Sequence, residues 1–485
     1  MSLRQSIHSS SMWLVGSNLT GQVLQFAFGI VLARLLVPAD FGKIVTIQVF
    51  TGFVGLFASG GMGQALIRAK LVEDADWHVV FSLQLAIGIA VFTSFFAIAP
   101  LFSEWFHDPI YESLLRVSAL SFLMRPFLNM QTIWLNREMR FKEATTRGLI
   151  ASIASNLISI AMAASGFGVW SLVVGGLLGS VIQIALLYPL TPVQPRLNFD
   201  RRIARVHSTF GIKITLNDFI SYMRQQICNL IITKLAGAGT VGLFNKGESL
   251  SKLPFTAISG PIYQPVLRTM AENQDDPDRV KYLFFRMISL LMVYTLPIYV
   301  GLWWLADPFI QTLYGPKWAA SAVPLEILAP LGLLYCIGHP CGAVLAAMNW
   351  VGREVVVQAI TLIIVAIGCY IGLEWGLAGV AFGIVISQIY ATIHMYFLAS
   401  RCIRAKLREL IAAMVPGLML NAVLIATLAF VSMIFPTALR NESQTLYLLV
   451  STISGALAYT ISFLYFPPGD LSNESRRWKE RLHLA

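Results

Sequence analysis

Charge is what this chain lacks most. Only 12% of its 485 residues are Asp, Glu, Lys or Arg, where a soluble domain carries about 25%. With 56% apolar residues and a mean hydropathy of +0.69, too little polar surface remains for a water-soluble globule. Cysteine is scarce as well. The five residues Cys228, Cys336, Cys341, Cys369 and Cys402, odd in number, lie within or beside apolar runs and form no C-x-x-C pair, so neither disulfides nor a zinc knuckle are indicated. The cluster CIGHPC (336–341) reads as small, soft residues of an apolar helix rather than a metal site. Strand-like alternation is missing too: the apolar runs are continuous, whereas β-barrel strands alternate over about ten residues.

Enzyme motifs are also missing. The sequence holds no P-loop, H-E-x-x-H or G-x-S-x-G, and SGGMGQ (59–64) lacks the spacing for nucleotide binding. A membrane polymerase or ligase carries its catalytic residues on a long outer loop. Here no connection much exceeds about twenty residues, which also leaves no room for a folded soluble domain. The start of the chain lacks a small-residue cleavage site after a short apolar region, which predicts an uncleaved first span.

What is present is a series of apolar windows long enough to cross a bilayer. They fall near 12–35, 41–67, 77–102, 113–135, 145–165, 168–190, 209–235, 240–267, 281–306, 319–349, 354–373, 376–400, 410–435 and 444–466. The fold class is therefore an all-α polytopic membrane protein of about 14 transmembrane helices. With the N-terminus inside, 24 of the 35 basic residues fall in inner segments and six in outer ones. The positive-inside rule then predicts both termini in the cytoplasm. The net charge of +10 is membrane anchoring, not a nucleic-acid footprint.

An internal repeat organises the spans. Shifted by 200 residues, Leu35, Gly42, Ser59, Gly60, Gln64 and Arg68 meet Leu235, Gly242, Ser259, Gly260, Gln264 and Arg268 without a gap. WLNRE (134–138) is echoed by WVGRE (350–354), and Gly168, Gly175 and Gly179 by Gly372, Gly379 and Gly383. Two six-helix lobes are expected, 12–190 and 209–400, joined by a basic cytoplasmic connection at 191–208. Helices 13 and 14 (410–466) and a cytoplasmic tail (467–485) follow. An even number of spans per unit makes the copies parallel, related by a pseudo-two-fold along the membrane normal. The paired G-x-x-x-G sets at 175/179 and 379/383 suit close helix packing. The echo also moves LFNKGESLSK (243–252) into the membrane, because its counterpart KIVTIQVFTG (43–52) opens a clear span.

PADFG (38–42), GMGQALIRAKLVEDAD (61–76), NREMRFKEA (136–144), SGFGVWSLVVGG (165–176), VGLFNKGESLSKLP (241–254), QPVLRTM (264–270) and YGPKW (314–318) together resemble the polysaccharide-transporter family. These are Wzx-type flippases and exporters of lipid-linked oligosaccharides, in the superfamily that holds the lipid II flippases and MATE drug antiporters. The resemblance runs from about residue 10 to 400. It implies two lobes forming a V around a cavity lined by spans 1, 2, 7 and 8, in a bacterial inner membrane. It further implies flipping of undecaprenyl-pyrophosphate-linked repeat units for exopolysaccharide, capsule or lipopolysaccharide O-antigen, with membrane lipids, a polysaccharide polymerase and chain-length or export proteins as partners, and no nucleic acid. The family's Asn-Arg-Ala-like step falls where this chain has Asn245, Lys246 and Gly247, so a cation is expected there. A MATE-like antiporter and a lipid II flippase are the alternatives; the first would favour an acidic cavity, whereas the embedded charge here is mainly basic.

The embedded polar residues supply the candidate site. A bare charge near the bilayer centre costs about 2.5–3.5 kcal/mol on insertion scales, so cations there are shielded in a cavity or snorkel. Asn217, Ser221, Arg224, Gln225 and Cys228 share one helical face, as do Asn245, Ser249, Lys252 and Thr256. Glu248 and Lys252 have the favourable i,i+4 order; Lys246 is left over, and Asp218 is a partner for it or for Arg224. Asn18, Gln22 and Gln25 in span 1 suit sugar hydroxyls. Arg125, beside Pro126, is mid-depth in span 4. Arg34 and Lys234, equivalent in the repeat, would attract the head group at the outer mouth. Arg286 lies close enough to its span's end to snorkel. Pro254, Pro261 and Pro265 are expected to kink span 8. No metal or other cofactor is expected. Glu248 and Asp218 are the candidates for coupling to a proton or sodium gradient, and passive exchange drawn by downstream polymerisation fits the sequence equally.

Overall fold

The computed structural model describes residues 3–59, 62–69, 71–192, 196–435 and 443–482. The side chains of 3–15, 17–19, 57–59, 64, 68, 206–218, 259–261, 264 and 470 lie outside the described set. Asn18, Asn217 and Asp218 are among them, so nothing further is said of these three.

The described residues form helices and turns, with no strand. The helices are α1 (Leu3–Leu35), α2 (Pro38–Ser59), α3 (Met62–Arg68), α4 (Asp74–Phe106), α5 (Ile110–Arg137), α6 (Phe141–Ala164), α7 (Trp170–Leu187) and α8 (Arg201–Glu272). They continue as α9 (Pro277–Tyr294), α10 (Leu296–Trp304), α11 (Ala306–Tyr314), α12 (Ala322–Leu328), α13 (Leu331–Ala347), α14 (Val351–Gly372), α15 (Gly376–Ile403), α16 (Leu407–Ile434), α17 (Gln444–Tyr465) and α18 (Ser472–Arg481). Among the described residues, nine helical stretches are long and apolar enough to cross a membrane, or up to ten if a bent pair is one span. The chain is a multi-pass helical membrane protein.

Breakers, not composition, set the element ends. Phe219–Ile258 is 40 residues long and Val351–Ile403 is 53, each enough for two crossings at about 20 residues per span. The first is interrupted at Gly237, whose φ of 84° and ψ of 172° are the non-helical dihedrals inside α8. The second turns at Gly376, with φ 67°. Both values lie where a Cβ is unfavourable. Gly237 falls in the short gap expected between spans 7 and 8, and the second of these helices runs on through Pro254, Pro261 and Pro265. Proline is tolerated in membrane helices when neighbours satisfy the freed backbone groups. Span 9 stays one membrane-crossing stretch, Pro277–Trp304, with a single irregular residue, Thr295, between α9 and α10. One span is broken where the sequence reading has it continuous. Span 10 divides into Pro316–Leu328 and α13 with a bend of 52°, next to Pro330.

Contacts divide the chain into two compact units, Met1–Gly242 and Leu243–Ala485. The first half of α8 therefore belongs to the first unit. Within that unit the repeat becomes visible as a reciprocal contact. A Cβ on Gly42 would strike the backbone of Ala238, and one on Gly242 would strike the carbonyl of Pro38 and come 3.0 Å from the Gly42 nitrogen. Subtracting 200 exchanges the two pairs, which is the signature of a local two-fold. The later echo also has a physical basis. Gly175 and Gly179 of α7 press on Ser159 and Ser155 of α6, and Ser155 donates to the Gly175 carbonyl at 2.8 Å. In the second unit, Gly379 and Gly383 of α15 meet Gly372 and Gly368 of α14, backbone against backbone. Small residues let helices approach closely where lipid supplies no hydrophobic drive.

The first unit's core gathers Ile47, Phe102, Tyr111, Leu114 and Val169. That of the second gathers Phe284, Ile288, Leu291, Cys341, Val344 and Ala399 from α9, α13 and α15. CIGHPC belongs to this second core: Cys336 and Cys341 are buried, and His339 stacks on Tyr263 at 4.5 Å with Phe255 at its edge.

Candidate functional site

Helix α2 is the platform of the first unit's site. Its sequence TGFVG (51–55) puts two glycines one turn apart, and each receives a polar side chain from another helix. The hydroxyl of Tyr222, on α8, lies over Gly52 and donates to the carbonyls of Gln48 and Val49 at 2.8 and 3.0 Å. The guanidinium of Arg125, on α5, lies over Gly55, with Cζ 4.9 Å from the Phe122 ring. Any larger residue at 52 or 55 would displace these groups. Further along the same two helices, Thr46 and Thr233 hydrogen-bond at 3.2 Å and Tyr111 donates to Thr46 at 3.3 Å, so α2 and the first half of α8 are stitched by polar side chains.

Arg125 stands out electrostatically. Among the described residues it has no carboxylate partner; it contacts the Phe122 ring and interacts electrostatically with Tyr222. Such a ring contact contributes about 0.5–2 kcal/mol, less than the roughly 2.5–3.5 kcal/mol that a charge costs at mid-bilayer. The remaining imbalance favours an anion at this place. Arg224, also in this unit, is half-buried, Gln225 is exposed and bonds back to the Ser221 carbonyl at 3.2 Å, and Cys228 is buried. The predicted stripe is therefore exposed at Gln225 and buried at Cys228, whose sulfur is in a disulfide where the sequence reading indicates none. Gln22 holds a buried Oε1 with no hydrogen-bond partner among the described residues, and Gln25 is exposed.

The two cations expected at the outer mouth fare differently. Arg34 is exposed. Lys234 donates to the Trp105 carbonyl at 2.5 Å and sits over the Trp105 and Phe106 rings.

In the second unit the three charges of LFNKGESLSK separate. Lys246 lies over the rings of Tyr314 and Trp318, at 4.8 and 5.1 Å, so the YGPKW motif supplies an aromatic box for it. Gly247 allows the helix to press on Ser321 and Pro324. Glu248 is buried, and its Oε1 takes Lys252 at 2.6 Å. Lys252 is 40% exposed and shares its face with Ser249 and Thr256, which are exposed, and Asn245, which is half-buried. Lys252 is thus the cation of this stretch that faces outward.

Several motif residues prove to be architectural. Arg137 of NREMRFKEA donates to the carbonyls of Leu66 and Ala69 at 2.5 and 2.7 Å, satisfying the exposed C-terminal carbonyls of α3. Arg140 pairs with Glu143 and reaches the Leu190 carbonyl at 3.1 Å. Asp40 of PADFG accepts from the Val37 nitrogen at 3.3 Å. Arg286, close to its span's end, forms a 2.7 Å ion pair with Glu474 of α18. The sequence reading missed this because the partner lies 188 residues away. It also missed Tyr222 and the glycine pair 52/55, although small residues at i,i+3 inside an apolar span are a usable signal for a seat. Among the described residues no three His, Cys, Asp or Glu side chains gather to hold a metal.

The lipopolysaccharide biosynthesis protein WzxC of Escherichia coli (strain K12) is 22% identical over 407 residues, covering 82% of this chain and 81% of WzxC. The teichuronic acid biosynthesis protein TuaB of Bacillus subtilis (strain 168) is 21% identical over 477 residues, covering 94% and 95%. The succinoglycan biosynthesis transport protein ExoT of Rhizobium meliloti (strain 1021) is 23% identical, covering 71% and 69%. Among solved structures, the lipid II flippase MurJ in an inward closed conformation superposes with a TM-score of 0.77 at 16% identity, over 93% of this chain and 98% of MurJ. An inward-facing multidrug resistance MATE family transporter gives 0.64 at 17% identity, over 80% and 94%. At such identities these two show a shared fold. The model of one family, described as polysaccharide biosynthesis protein, matches residues 31–323, more than half of the chain, and the chain belongs to that family.

Proposed function

We propose that this protein flips undecaprenyl-pyrophosphate-linked oligosaccharide repeat units from the inner to the outer leaflet of a bacterial inner membrane. It is a transport protein of polysaccharide biosynthesis and not an enzyme, as its relatives are. The observation that carries the finer reading is Arg125: a cation seated by Gly55 inside a membrane-spanning unit, with no carboxylate partner among the described residues. A pyrophosphate brings about two negative charges that cannot cross hydrocarbon bare, and Arg125 answers that need in the first unit as Lys252 does in the second. Guanidinium and phosphate match in geometry. Gln22 and Gln25 offer amides to sugar hydroxyls, while the polyprenyl tail stays in lipid.

Alternating access provides the movement, and binding is moderate so that release follows. Both termini face the cytoplasm in this reading, on the strength of the Lys/Arg bias. Glu248 with Lys252 is the group through which a proton or sodium gradient would couple, and polymerisation on the outer side would draw the cargo through. The experiment is complementation of a strain lacking its own exporter, at matched expression. Arg125→Gln is expected to abolish surface polysaccharide and Arg125→Lys to retain part of it. Full activity of Arg125→Gln together with Lys252→Gln would remove the cationic site from the mechanism.

A further inference from the structure

A cavity lined by three cations lies in the second unit, at the end of the spans that carries the basic tail. It has a volume of about 660 Å³ between the first turns of α9, the first turns of α16 and helix α18. One face of α9 supplies Lys281, Arg286 and Ser289, and α18 supplies Arg477; the single carboxylate on the wall is Asp278. Phe285, Ala412 and Pro416 form the rest of the lining, so the cavity is polar on one side and apolar on the other.

The three cations have donors to spare. Arg286 spends one N–H on Glu474, at 2.7 Å, and makes no other hydrogen bond among the described residues, out of five donors. Arg477 approaches Glu474 only at 3.7 Å, too long for a hydrogen bond. Lys281 pairs with Glu409 at 3.3 Å and lies 3.7 Å from Asp278, which leaves part of its three-donor ammonium unused. The helix that closes the cavity is fixed in place. Glu474 holds Arg286, the Trp478 indole donates to the Tyr294 hydroxyl at 2.8 Å, and the buried Ser475 hydroxyl donates to the Leu464 carbonyl at 2.7 Å. This is a built recess and not a gap beside a loose tail.

We infer that this recess binds the phosphodiester headgroup of an anionic membrane phospholipid. Converging guanidinium and ammonium groups that keep N–H donors beyond their ion pairs select a phosphate oxygen cluster. The apolar side, continuous with two membrane-spanning helices, selects a phosphate that is tethered to acyl chains. Basic pockets between spans at the membrane surface bind acidic headgroups in this way. The inference does not depend on which cargo the protein carries.

The test uses the full-length protein, delipidated in a neutral detergent, with binding read by native mass spectrometry and by thermal unfolding. Phosphatidylglycerol is expected to bind saturably and raise the midpoint, while phosphatidylcholine and inorganic phosphate at equal concentration leave it unchanged. Lys281→Gln with Arg477→Gln is expected to weaken phosphatidylglycerol at least about tenfold, and Lys281→Arg with Arg477→Lys to restore most of it. If the double variant does not fold, the exposed single change Arg477→Gln carries the comparison. Equal binding of phosphatidylcholine, or an unchanged affinity in the glutamine variants, overturns the site. Inorganic phosphate as effective as the lipid, or undecaprenyl phosphate preferred over phosphatidylglycerol, overturns the assignment to a phospholipid. None of these readouts involves transport, so their failure leaves the flippase reading standing.

Discussion

Alanine at Gly55 separates Arg125's part in transport from any part in folding. A Cβ there would lie 2.8 Å from Cζ and 3.0 Å from Nη2 of Arg125, and closer still to Nη1. The guanidinium ends a flexible side chain and can swing aside for about 0.5–1.5 kcal/mol of rotamer strain. Replacing glycine by alanine in a helix returns about 0.5–1 kcal/mol, so the net effect on stability is near zero. Transport should nevertheless fall, because the displaced cation loses a charged hydrogen bond worth about 1.5–3 kcal/mol to the phosphate. That corresponds to roughly ten- to a hundredfold in rate. The same substitution at two other α2 glycines calibrates the result. At Gly52 the Cβ comes 2.8 Å from Cζ of Tyr222, whose hydroxyl must give up two carbonyl contacts, about 1–3 kcal/mol in all. At Gly42 it meets the backbone of Ala238, which cannot rotate away, so the loss reaches or passes about 3 kcal/mol. Thermal unfolding in detergent should therefore rank stability as Gly55→Ala above Gly52→Ala above Gly42→Ala, with polysaccharide export measured in the same three strains. A Gly55→Ala protein that unfolds as early as Gly42→Ala, or exports at the full rate, refutes the seat.

The Glu248–Lys252 pair should respond asymmetrically. Lys252→Gln leaves a buried carboxylate without its cation and should cost about 3–5 kcal/mol, whereas Glu248→Gln leaves a lysine that is 40% exposed and should cost far less; equal losses would contradict the burial. Glu474→Gln should release α18 by breaking the pair with Arg286, seen as faster tryptic cleavage at Arg476 and Arg477, and an unchanged cleavage rate would show that Trp478 and Ser475 suffice to hold it. Gly383→Val should separate α14 from α15, because its neighbours there are the Gly368 and Cys369 backbone atoms; a normal yield of folded protein would contradict that contact.

Much of the fold is legible because each property involved is local or periodic. The span positions follow from apolar run length, and the 200-residue echo includes Gly42 and Gly242, whose close neighbours in the structure are backbone atoms. Breaks were legible in part: the turn at Gly237 falls in the expected gap between spans 7 and 8, whereas the 52° bend beside Pro330 lies inside a span that reads as continuous. The site divides the same way. Arg125 and the Glu248–Lys252 pair could be picked out by charge and spacing within one helix. The box of Tyr314 and Trp318 around Lys246, the seat of Tyr222 on Gly52 and the reach of Glu474 to Arg286 join residues 68 to 188 positions apart. Hydropathy and helical spacing carry no information about such pairs.

The most direct measurement is flipping in vesicles. Purified protein would be reconstituted into unilamellar liposomes with an undecaprenyl-pyrophosphate-linked oligosaccharide, and the fraction of sugar open to an externally added glycosidase followed with time. The account predicts that wild-type protein exposes the inner-leaflet pool, that Arg125→Gln exposes it at least about tenfold more slowly, and that Arg125→Lys lies between. An inner pool that stays sealed with the wild-type protein, or one that opens equally fast with Arg125→Gln, would contradict it.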